Sequence, residues 1–200
     1  MPPSREPDQQ QTGESRLAHE ARAGKASALA KLLQMHQQRT YRMCLRMLGS
    51  EDAAADAAQD TLLRAVRAIG TFDERSRFST WLTRIAINVC LTRARSEKLR
   101  RHQSLEAPGP GTDQTPSGER LESREQTTAR RVEQAEDRER VLEALGALDA
   151  EARAILLLRD GHDLEYEQIA EMLGVAVGTV KSRLFRARKA LRESMESPPR

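Results

Sequence analysis

Apolar residues recur at helical intervals over two separate stretches of the chain. In the first, residues 15–101, they repeat every three or four positions, which is the spacing of one face of an α-helix. Two sets of residues with this spacing predict a long first helix. The first set is Leu29, Leu32, Leu33 and His36, and the second, one register later, is Tyr41, Cys44, Leu45 and Leu48. Gly49 is placed to end this helix.

Two further helices are predicted in the same stretch. Gly70 is placed to end the second helix, and one face of that helix is formed by five apolar residues: Ala58, Leu62, Ala65, Val66 and Ile69. A polar loop, TFDERSRFS at 71–79, separates it from a third helix, for which Ser79 is the expected N-cap. The buried side of the third helix is expected to carry Phe78, Trp81, Leu82, Ile85 and Val89.

A segment poor in apolar residues sets the second helical stretch apart. Residues 102–131 contain three Pro, three Gly and two Leu, which is too little apolar surface to order a chain, so we expect a flexible linker. Residues 132–194 predict four helices, at 132–147, 149–159, 166–173 and 177–193. Residues 1–14 are expected to form a disordered tail and 195–200 a second tail. The pattern predicts two small helical domains, 15–101 and 132–194, on a tether.

Composition favours an all-α fold. The 200 residues include 23 Leu and only six aromatic residues, whereas strands favour aromatic and β-branched side chains. No apolar run approaches the ~20 residues that span a bilayer, and the N-terminus lacks the apolar stretch of a secretory signal. We therefore expect a cytoplasmic protein without direct membrane insertion. Cys44 and Cys90 have no metal-ligand spacing and are expected to be buried thiols; no cofactor or metal is predicted.

The net charge of +3 conceals a segregation of charge along the chain. Residues 51–60 carry four acids and no base, residues 84–101 six bases and one acid, and residues 177–192 six bases and no acid. Of the 33 basic residues, 28 are Arg, whose planar fork suits phosphates and base edges. Such segregation indicates partners of opposite sign, and the basic segments favour nucleic acid.

Residues 165–193, EYEQIAEMLGVAVGTVKSRLFRARKALRE, have the pattern of a helix-turn-helix. This motif needs a small residue where the helices touch, a Gly in the turn and a branched apolar residue in the second helix. Ala170, Gly174 and Val180 supply these in order. With Val180, Leu184 and Ala187 buried, the second helix presents a basic, acid-free face that fits the major groove. The residues on or beside this face are Lys181, Ser182, Arg183, Phe185, Arg186 and Lys189.

Four segments together resemble the extracytoplasmic-function group of bacterial sigma factors, which keep only the second and fourth conserved sigma regions. They are DAAQDTLLRAVRAI (56–69), FSTWLTRIAIN (78–88), LLLRDGHDLEYEQIAEMLG (156–174) and VGTVKSRLFRARKAL (177–191). The resemblance covers residues 15–101 and 132–194. It implies two helical domains, a region 2 and a region 4, that bind core RNA polymerase and promoter DNA, duplex and single-stranded.

The resemblance implies a polymerase-docking surface on the second helix. In the family this acidic helix contacts the clamp helices of the β′ subunit, and the matching residues here are Asp56, Gln59 and Asp60. An acidic segment beside an apolar face suits a basic helical partner. Glu51 and Asp52 have the more ordinary interpretation of stabilising the helix N-terminus through its dipole. Region 4 is expected to contact the β flap.

The resemblance also implies two readers of promoter DNA. The loop and third helix match the family's −10 reader, where a base of the opened strand is captured, and Asn88 matches the family's Asn beside that opening. The residues expected to contact DNA here are Phe72, Arg75, Arg77, Arg84 and Asn88. The Asn88 amide can both donate to and accept from a base edge. Trp81 is expected to be core, while Arg93 and Arg95 stay open between phosphate binding and plain solvation. The helix-turn-helix matches the −35 reader, with contacts expected from Lys181, Ser182, Phe185 and Arg186, and from Arg159 ahead of the motif.

Three positions depart from the family pattern. At the pocket loop the family usually has F-R-G-E/D-S, whereas residues 72–76 here are FDERS, so the base preference of this loop does not carry over. Leu148-Asp149 stands where the family has Leu-Pro. Glu165 replaces the usual Ser at the start of the helix-turn-helix and is a weaker cap.

These features predict a promoter-specificity subunit and not an enzyme, since the sequence offers no catalytic constellation, metal spacing or phosphate loop. Factors of this family are usually held inactive by an anti-sigma factor, so such a partner is expected. One alternative comes from a different class: a helix-turn-helix regulator that binds DNA without polymerase. That protein would need the C-terminal motif but neither the surface at Asp56 and Gln59 nor the opening loop.

Overall fold

The computed structural model describes residues 7–106 and 140–196, with side chains over 13–100 and 140–196. The regular structure in these ranges is helical: α1 (Pro7–Arg22), α2 (Ala26–Leu48), α3 (Glu51–Ala68), α4 (Phe78–Glu106), α5 (140–146), α6 (Ala150–Asp160), α7 (Tyr166–Leu173) and α8 (Val177–Glu196), with a 3₁₀ turn at Ile69–Thr71. We call α1–α4 the N-lobe and α5–α8 the C-lobe. The prediction of an all-α fold is confirmed.

Helix boundaries differ from the sequence predictions at both ends of the N-lobe. Helix α1 begins at Pro7, so residues 7–14, expected in the disordered tail, are helical. Helix α4 runs to Glu106, so residues 102–106, expected in the linker, continue the third helix. Residues 1–6, 107–139 and 197–200 lie outside the described residues, and with them the rest of the tails and of the linker.

The predicted stop signals act as expected at two glycines. Helix α2 ends at Leu48, and Gly49 adopts a φ of 73° while its N–H donates to the Leu45 carbonyl at 2.8 Å. Gly174 takes a φ of 65° in the turn between α7 and α8. Both conformations are left-handed, which glycine adopts without a steric penalty.

One prediction about the N-lobe core is wrong. The buried face of α3 consists mainly of small residues, which we call the alanine row: Ala54, Ala57, Ala58 and Ala65, with Thr61 among them. Val66, expected on this face, is 47% exposed. Ala54, Ala57 and Ala58 belong to the same buried cluster as Met43 and Met47 of α2, and Ala65 belongs to a second cluster with Leu32 of α2. Because alanines let two helices approach closely, the helix turns this row inward and leaves Val66 outside.

The C-lobe core follows the predicted pattern. Val180, Leu184 and Ala187 of α8 are buried against Ile155 of α6 and Ile169 of α7. Helix α6 begins at an unpredicted cap, because Asp149 Oδ1 accepts hydrogen bonds from the N–H groups of Glu151 and Ala152 at 3.0 and 2.9 Å. The departure from Leu-Pro at this position therefore supplies a good N-cap.

The two lobes pack on each other. Helix α6 lies against α2 and α4, and one apolar cluster contains buried residues of both lobes, among them Leu91 and Ile155. Cys44 and Cys90 are both in this cluster, as free buried thiols, which confirms their predicted state. The sequence predicts the two helical units but not their packing, which brings the C-lobe onto the α2 and α4 faces of the N-lobe.

Candidate nucleic-acid interface

Helix α8 presents one solvent-facing side along its first half. Because Val180, Leu184 and Ala187 are at most 2% exposed, the opposite side of α8, with Lys181, Ser182 and Arg186, points away from the core. Phe185 is the extreme case, with 72% of its surface exposed. A ring this exposed does not serve the packing of the C-lobe, and it is accessible to a binding partner together with the basic side chains around it.

Four polar residues share this face, and their contacts are local to the helix-turn-helix. Ser182 Oγ donates to the Thr179 carbonyl at 3.0 Å, and Arg186 Nε lies 3.4 Å from the Ser182 carbonyl. Lys189 is 3.7 Å from Glu193 in an exposed i,i+4 pair, which holds it weakly. The fourth, Lys181, has its ammonium 5.4 Å from the centre of the Tyr166 ring.

Two residues expected at the same surface are held elsewhere. Arg159 donates to the Leu164 carbonyl at 2.9 Å, lies 3.5 Å from Glu165, and stacks over the Tyr166 ring. Arg183 lies on the side of α8 that faces α6, with Nη1 2.5 Å from Glu151 Oε2. Both guanidinium groups bind within the C-lobe. Helix periodicity alone does not show whether such an arginine is exposed to solvent or bound to a neighbouring helix.

The loop between α3 and α4 is built on an aromatic cluster. Phe72 is 2% exposed and packs edge-on against Phe78, with ring centres 5.8 Å apart, and against Trp81 at 5.5 Å. Phe72 was expected to contact DNA, and the structure instead buries most of its ring as a support for the loop. Arg75, in contrast, keeps an 89% exposed side chain, in a loose pair with Asp73 at 3.5 Å.

Glu74 occupies a strained backbone position in this loop. Its φ of 62° lies in the left-handed region, where a side chain is disfavoured, and it is the position at which the family pattern has Gly. The Glu74 carboxylate lies 3.3 Å from both His19 Nδ1 and Arg22 Nη1 of α1. These two contacts lower the pKa of Glu74. Helix α1 therefore tethers the loop at its most strained residue.

A cavity of about 310 Å³ opens between α1, α2 and this loop. Its lining includes Phe72 and Phe78 as apolar walls, and Glu14, Arg39 and Arg77 as charged groups. Arg77, one of the predicted DNA contacts, is an exposed member of this lining.

Glu14 has a structural role at the rim of this cavity. Its Oε1 accepts a hydrogen bond from the Ser79 N–H at 3.3 Å and lies 3.3 Å from His36 Nε2. The contact with His36 lowers the pKa of Glu14. Ser79, predicted as the N-cap of α4, lies instead inside the first turn. A carboxylate from a distant helix thus takes the role that the sequence assigned to a local hydroxyl.

Asn88 and Arg84 lie on the same helix, α4, beyond the loop. The Asn88 side chain is exposed, and its backbone carbonyl accepts a hydrogen bond from Thr92 Oγ1 at 2.8 Å. Arg84 is half-exposed and reaches the C-lobe, where Nη1 lies 3.2 Å from Glu171 Oε1 and Nη2 donates to the Glu171 carbonyl at 3.2 Å. Of the two, Asn88 is accessible and Arg84 is engaged.

The outer face of α3 combines acidic and apolar groups. Asp56 and Gln59 are exposed, and Leu63 and Val66 beside them are 49% and 47% exposed. The two exposed apolar residues were missed by the sequence prediction, although their i,i+3 spacing next to the acids is a usable signal. This face offers charge and apolar area together, as protein interfaces commonly do.

Asp60, the third residue expected to dock polymerase, is engaged within the N-lobe. Its carboxylate lies 2.5 Å from Arg93 Nη2, and Arg93 Nη1 is 3.7 Å from Asp56. The Asp60 contact raises the pKa of Arg93. Arg93 is therefore neither bound to phosphate nor simply solvated in this structure, the two alternatives left open by the sequence. It pairs instead with the acids of α3.

Comparison with known proteins gives matches on both lobes. The family model for sigma-70 region 2 matches residues 32–100, and that for sigma-70 region 4 matches residues 138–191. The chain is 31% identical over 176 residues to the ECF RNA polymerase sigma factor SigW of Bacillus subtilis, covering 88% of this chain and 93% of that protein. It is 34% identical over 169 residues to SigM of Mycobacterium tuberculosis, an ECF RNA polymerase sigma factor, covering 84% and 78%.

Solved structures show the same fold. CnrH, in complex with the cytosolic domain of CnrY, matches with a TM-score of 0.61 and 26% identity, over 94% of this chain and 99% of CnrH. The sigma factor RpoE of Bartonella quintana, in complex with the anti-sigma factor NepR, matches with a TM-score of 0.64 and 24% identity, over 85% and 98%. None of the helices in the described part of the chain has the length and apolarity needed to cross a membrane.

Proposed function

The chain belongs to the sigma-70 family, in its extracytoplasmic-function group, and we propose that it directs core RNA polymerase to promoters by reading the −35 and −10 elements and assisting strand opening. The observation that carries this proposal is the exposed, acid-free face of α8 around Phe185, in the same chain as the exposed acidic and apolar face of α3. A protein that only bound DNA would need the first surface and not the second.

Reading of the −35 element is proposed for α8. Lys181, Ser182, Phe185 and Arg186 lie near the start of the helix, which is the end that reaches base edges when a recognition helix enters the major groove. Lys189, one turn further on, is placed for a phosphate. Arg159 stays close to this surface through its stacking on Tyr166. We assign Arg159 a contact with a phosphate of the DNA backbone. In that contact the phosphate would replace Glu165 as the partner of the guanidinium group.

Capture of the opened −10 strand is proposed for the cavity beside the α3–α4 loop. A base taken from the stack needs apolar contact and hydrogen bonds to offset the few kcal/mol, roughly, of lost stacking. The cavity supplies aromatic walls from Phe72 and Phe78 and charged groups at its rim. Arg75 and Arg77 at the loop are placed to hold the strand's phosphates, and Asn88 to read an adjacent base.

Docking on core polymerase is proposed for the outer face of α3. Asp56 and Gln59 would contact the basic clamp helices of the β′ subunit, and Leu63 and Val66 would be buried by them. Asp60 supports this surface through its contact with Arg93. Region 4, the C-lobe, is proposed to contact the β flap. The protein carries out no catalysis itself in this scheme, and it acts in the cytoplasm, where polymerase and DNA are.

An anti-sigma factor is proposed as a regulatory partner. The relatives of similar structure support this, because RpoE was solved in complex with the anti-sigma factor NepR, and CnrH with the cytosolic domain of CnrY. Such a partner would have to cover at least one of the surfaces described above to block transcription.

The proposal is tested with purified core polymerase that lacks any sigma factor. We expect the chain to bind it and to support transcription from promoters of genes that depend on this protein. Asp56→Ala with Gln59→Ala is expected to reduce polymerase binding, measured by titration of a labelled chain. Asp52→Ala, an exposed acid at the start of the same helix, is the matched control. DNA binding without any polymerase binding would support the alternative, an independent helix-turn-helix regulator.

A further inference from the structure

The ring of Tyr166, the first residue of α7, lies beside two positively charged side chains of the C-lobe. The guanidinium carbon of Arg159, at the end of α6, is 5.0 Å from the ring centre, and the ammonium group of Lys181, on α8, is 5.4 Å from it. Cations within about 6 Å of an aromatic ring centre are attracted by the negative face of the ring. One ring from α7 therefore attracts a cation from each of the two helices that flank α7 in the chain.

Tyr166 is itself held in place. Its side chain is half-buried and packs against the apolar cluster that contains Ile169 and Val180. A capping box fixes the backbone at the start of α7, where Gln168 Oε1 accepts a hydrogen bond from the Glu165 N–H at 3.0 Å. A ring anchored by both its packing and its backbone is a rigid platform for the two longer, flexible side chains beside it.

The helices that carry the two cations are also joined near this ring. Arg188 of α8 binds Asp160 of α6 through two contacts, from Nε to Oδ2 at 3.0 Å and from Nη2 to Oδ1 at 2.5 Å. A bidentate pair of this kind fixes direction as well as distance. Arg159 directly precedes Asp160 in the chain, so this pair also sets the position of the Arg159 backbone relative to α8.

The two cations differ in what else holds them. Arg159 also donates to the Leu164 carbonyl at 2.9 Å and lies 3.5 Å from Glu165. Lys181 has no ion pair in the part of the chain that the structure describes, so the ring is the group that orients its ammonium. When a DNA phosphate takes the place of Glu165, the ring and the Leu164 carbonyl still hold Arg159. Side chains that are ordered before binding lose less conformational freedom when they bind.

We propose that Tyr166 is a positioning residue of the −35 reader: its ring orders Arg159 and Lys181 before DNA arrives, Arg159 toward a phosphate and Lys181 toward a base edge. The inference rests on the proposed function, because it assumes that the C-lobe reads duplex DNA. The face of the ring carries this role and the hydroxyl group does not. Ordering two long side chains in advance is worth about fivefold or more in affinity for the duplex.

The test is a double-mutant cycle on duplex binding by the full chain. The probe is a fluorescein-labelled duplex that the wild-type protein has selected from a pool of random sequences, and binding is followed by fluorescence anisotropy. Tyr166→Leu removes the ring but keeps an apolar side chain, and Tyr166→Phe keeps the ring. Both cation partners are removed together in Arg159→Gln with Lys181→Gln, alone and combined with Tyr166→Leu. Leu191→Ala, at another half-buried position packed against the same cluster, is the control for lost packing.

Tyr166→Leu is expected to weaken binding about fivefold or more, whereas Tyr166→Phe and Leu191→Ala should stay close to the wild type. In the background that lacks Arg159 and Lys181, Tyr166→Leu should have little further effect, because the side chains it orders are gone. A full effect of Tyr166→Leu in that background would overturn the proposal, and so would an equal loss of affinity in Tyr166→Phe.

A measurement on the wild-type protein keeps the proposal testable if Tyr166→Leu does not fold, which urea denaturation would reveal. The ring current of Tyr166 should shift the NMR signals of the Lys181 ε-methylene protons upfield relative to those of the exposed Lys31. Unshifted Lys181 signals would overturn the proposal. Failure of the wild-type chain to bind any duplex is a different result: it would overturn the −35 reading itself, and the role of Tyr166 with it.

Discussion

Acidification is expected to weaken the packing of the lobes through His162. This ring lies in the turn between α6 and α7, and its Nδ1 lies 3.2 Å from Arg39 Nη2 of α2. Since arginine is always a donor, the neutral ring accepts this hydrogen bond. Burial, together with the positive charges of Arg39 and Arg46, lowers the pKa of His162 to about 4. Protonation would place a third positive charge among the two arginines.

The sign and size of the effect follow from this lowered pKa. Above about pH 6.5 the ring is neutral in both the folded and the unfolded chain, so it adds no pH dependence. Between about pH 6.5 and pH 4 the unfolded chain binds a proton that the folded chain does not, and stability falls as the pH falls. Going from about pH 7.5 to pH 5 would cost about 2 kcal/mol for a fully buried ring, and partial solvent exposure reduces this to about 1 kcal/mol.

The assay is urea denaturation at a series of pH values, with wild-type protein, His162→Gln and the control His19→Gln. His162→Gln keeps a polar side chain beside Arg39 but cannot titrate, so its stability should fall less on acidification, by about 1 kcal/mol at pH 5. Removing the exposed His19, whose neighbour is the Glu74 carboxylate, tests whether losing a histidine that lies beside an acid has the same effect as losing one that lies beside arginines. Parallel pH dependence of the wild type and His162→Gln would refute the reasoning.

Three further predictions concern the two proposed DNA readers. Arg186→Ala should weaken binding to a promoter duplex by about 1–3 kcal/mol and relax base preference, while Lys189→Ala weakens binding to all duplexes alike; fluorescence anisotropy that finds the same pattern for both would contradict the base-reading role. Asn88→Ala should leave duplex binding intact but reduce strand opening in a permanganate footprint with polymerase, and normal opening would count against its assignment. Glu14→Ala should lower the free energy of unfolding by about 1 kcal/mol through loss of the cap on Ser79, measured with urea, whereas Glu14→Gln retains an acceptor and should lose less.

Local patterns in the sequence predict most helices and the inward face of α8, because periodicity and glycine stops act over a few residues. Val180, Leu184 and Gly174 are examples of positions whose structure follows from their neighbours alone. The same logic fails for α3, where Val66 is more apolar than Ala57 but is left outside. Close approach of α2, which is a tertiary effect, decides which face is buried.

Contacts between distant segments account for the other differences. Periodicity places Arg84 and Arg183 near exposed faces, and cannot show that Glu171 and Glu151 arrive from other helices to bind them. Likewise, Ser79 is a sound local choice of N-cap, but the acceptor comes from α1, 65 residues away. Charged partners far apart in sequence leave no periodic signal, so the lobe junction could not be predicted from the chain.

The alanine row of α3 also bears on how sequences of this kind can diverge. A larger side chain at Ala54, Ala57 or Ala65 would push α3 away from its neighbours, at a cost of about 1–3 kcal/mol. The opposite face of the helix, with Asp56 and Gln59, is exposed and meets no such limit. Substitutions can therefore accumulate on the exposed face and change which partner is favoured, while the alanine row keeps α3 at a constant distance from its neighbouring helices. The two faces of one helix can thus change at different rates, the buried face slowly and the partner-binding face freely.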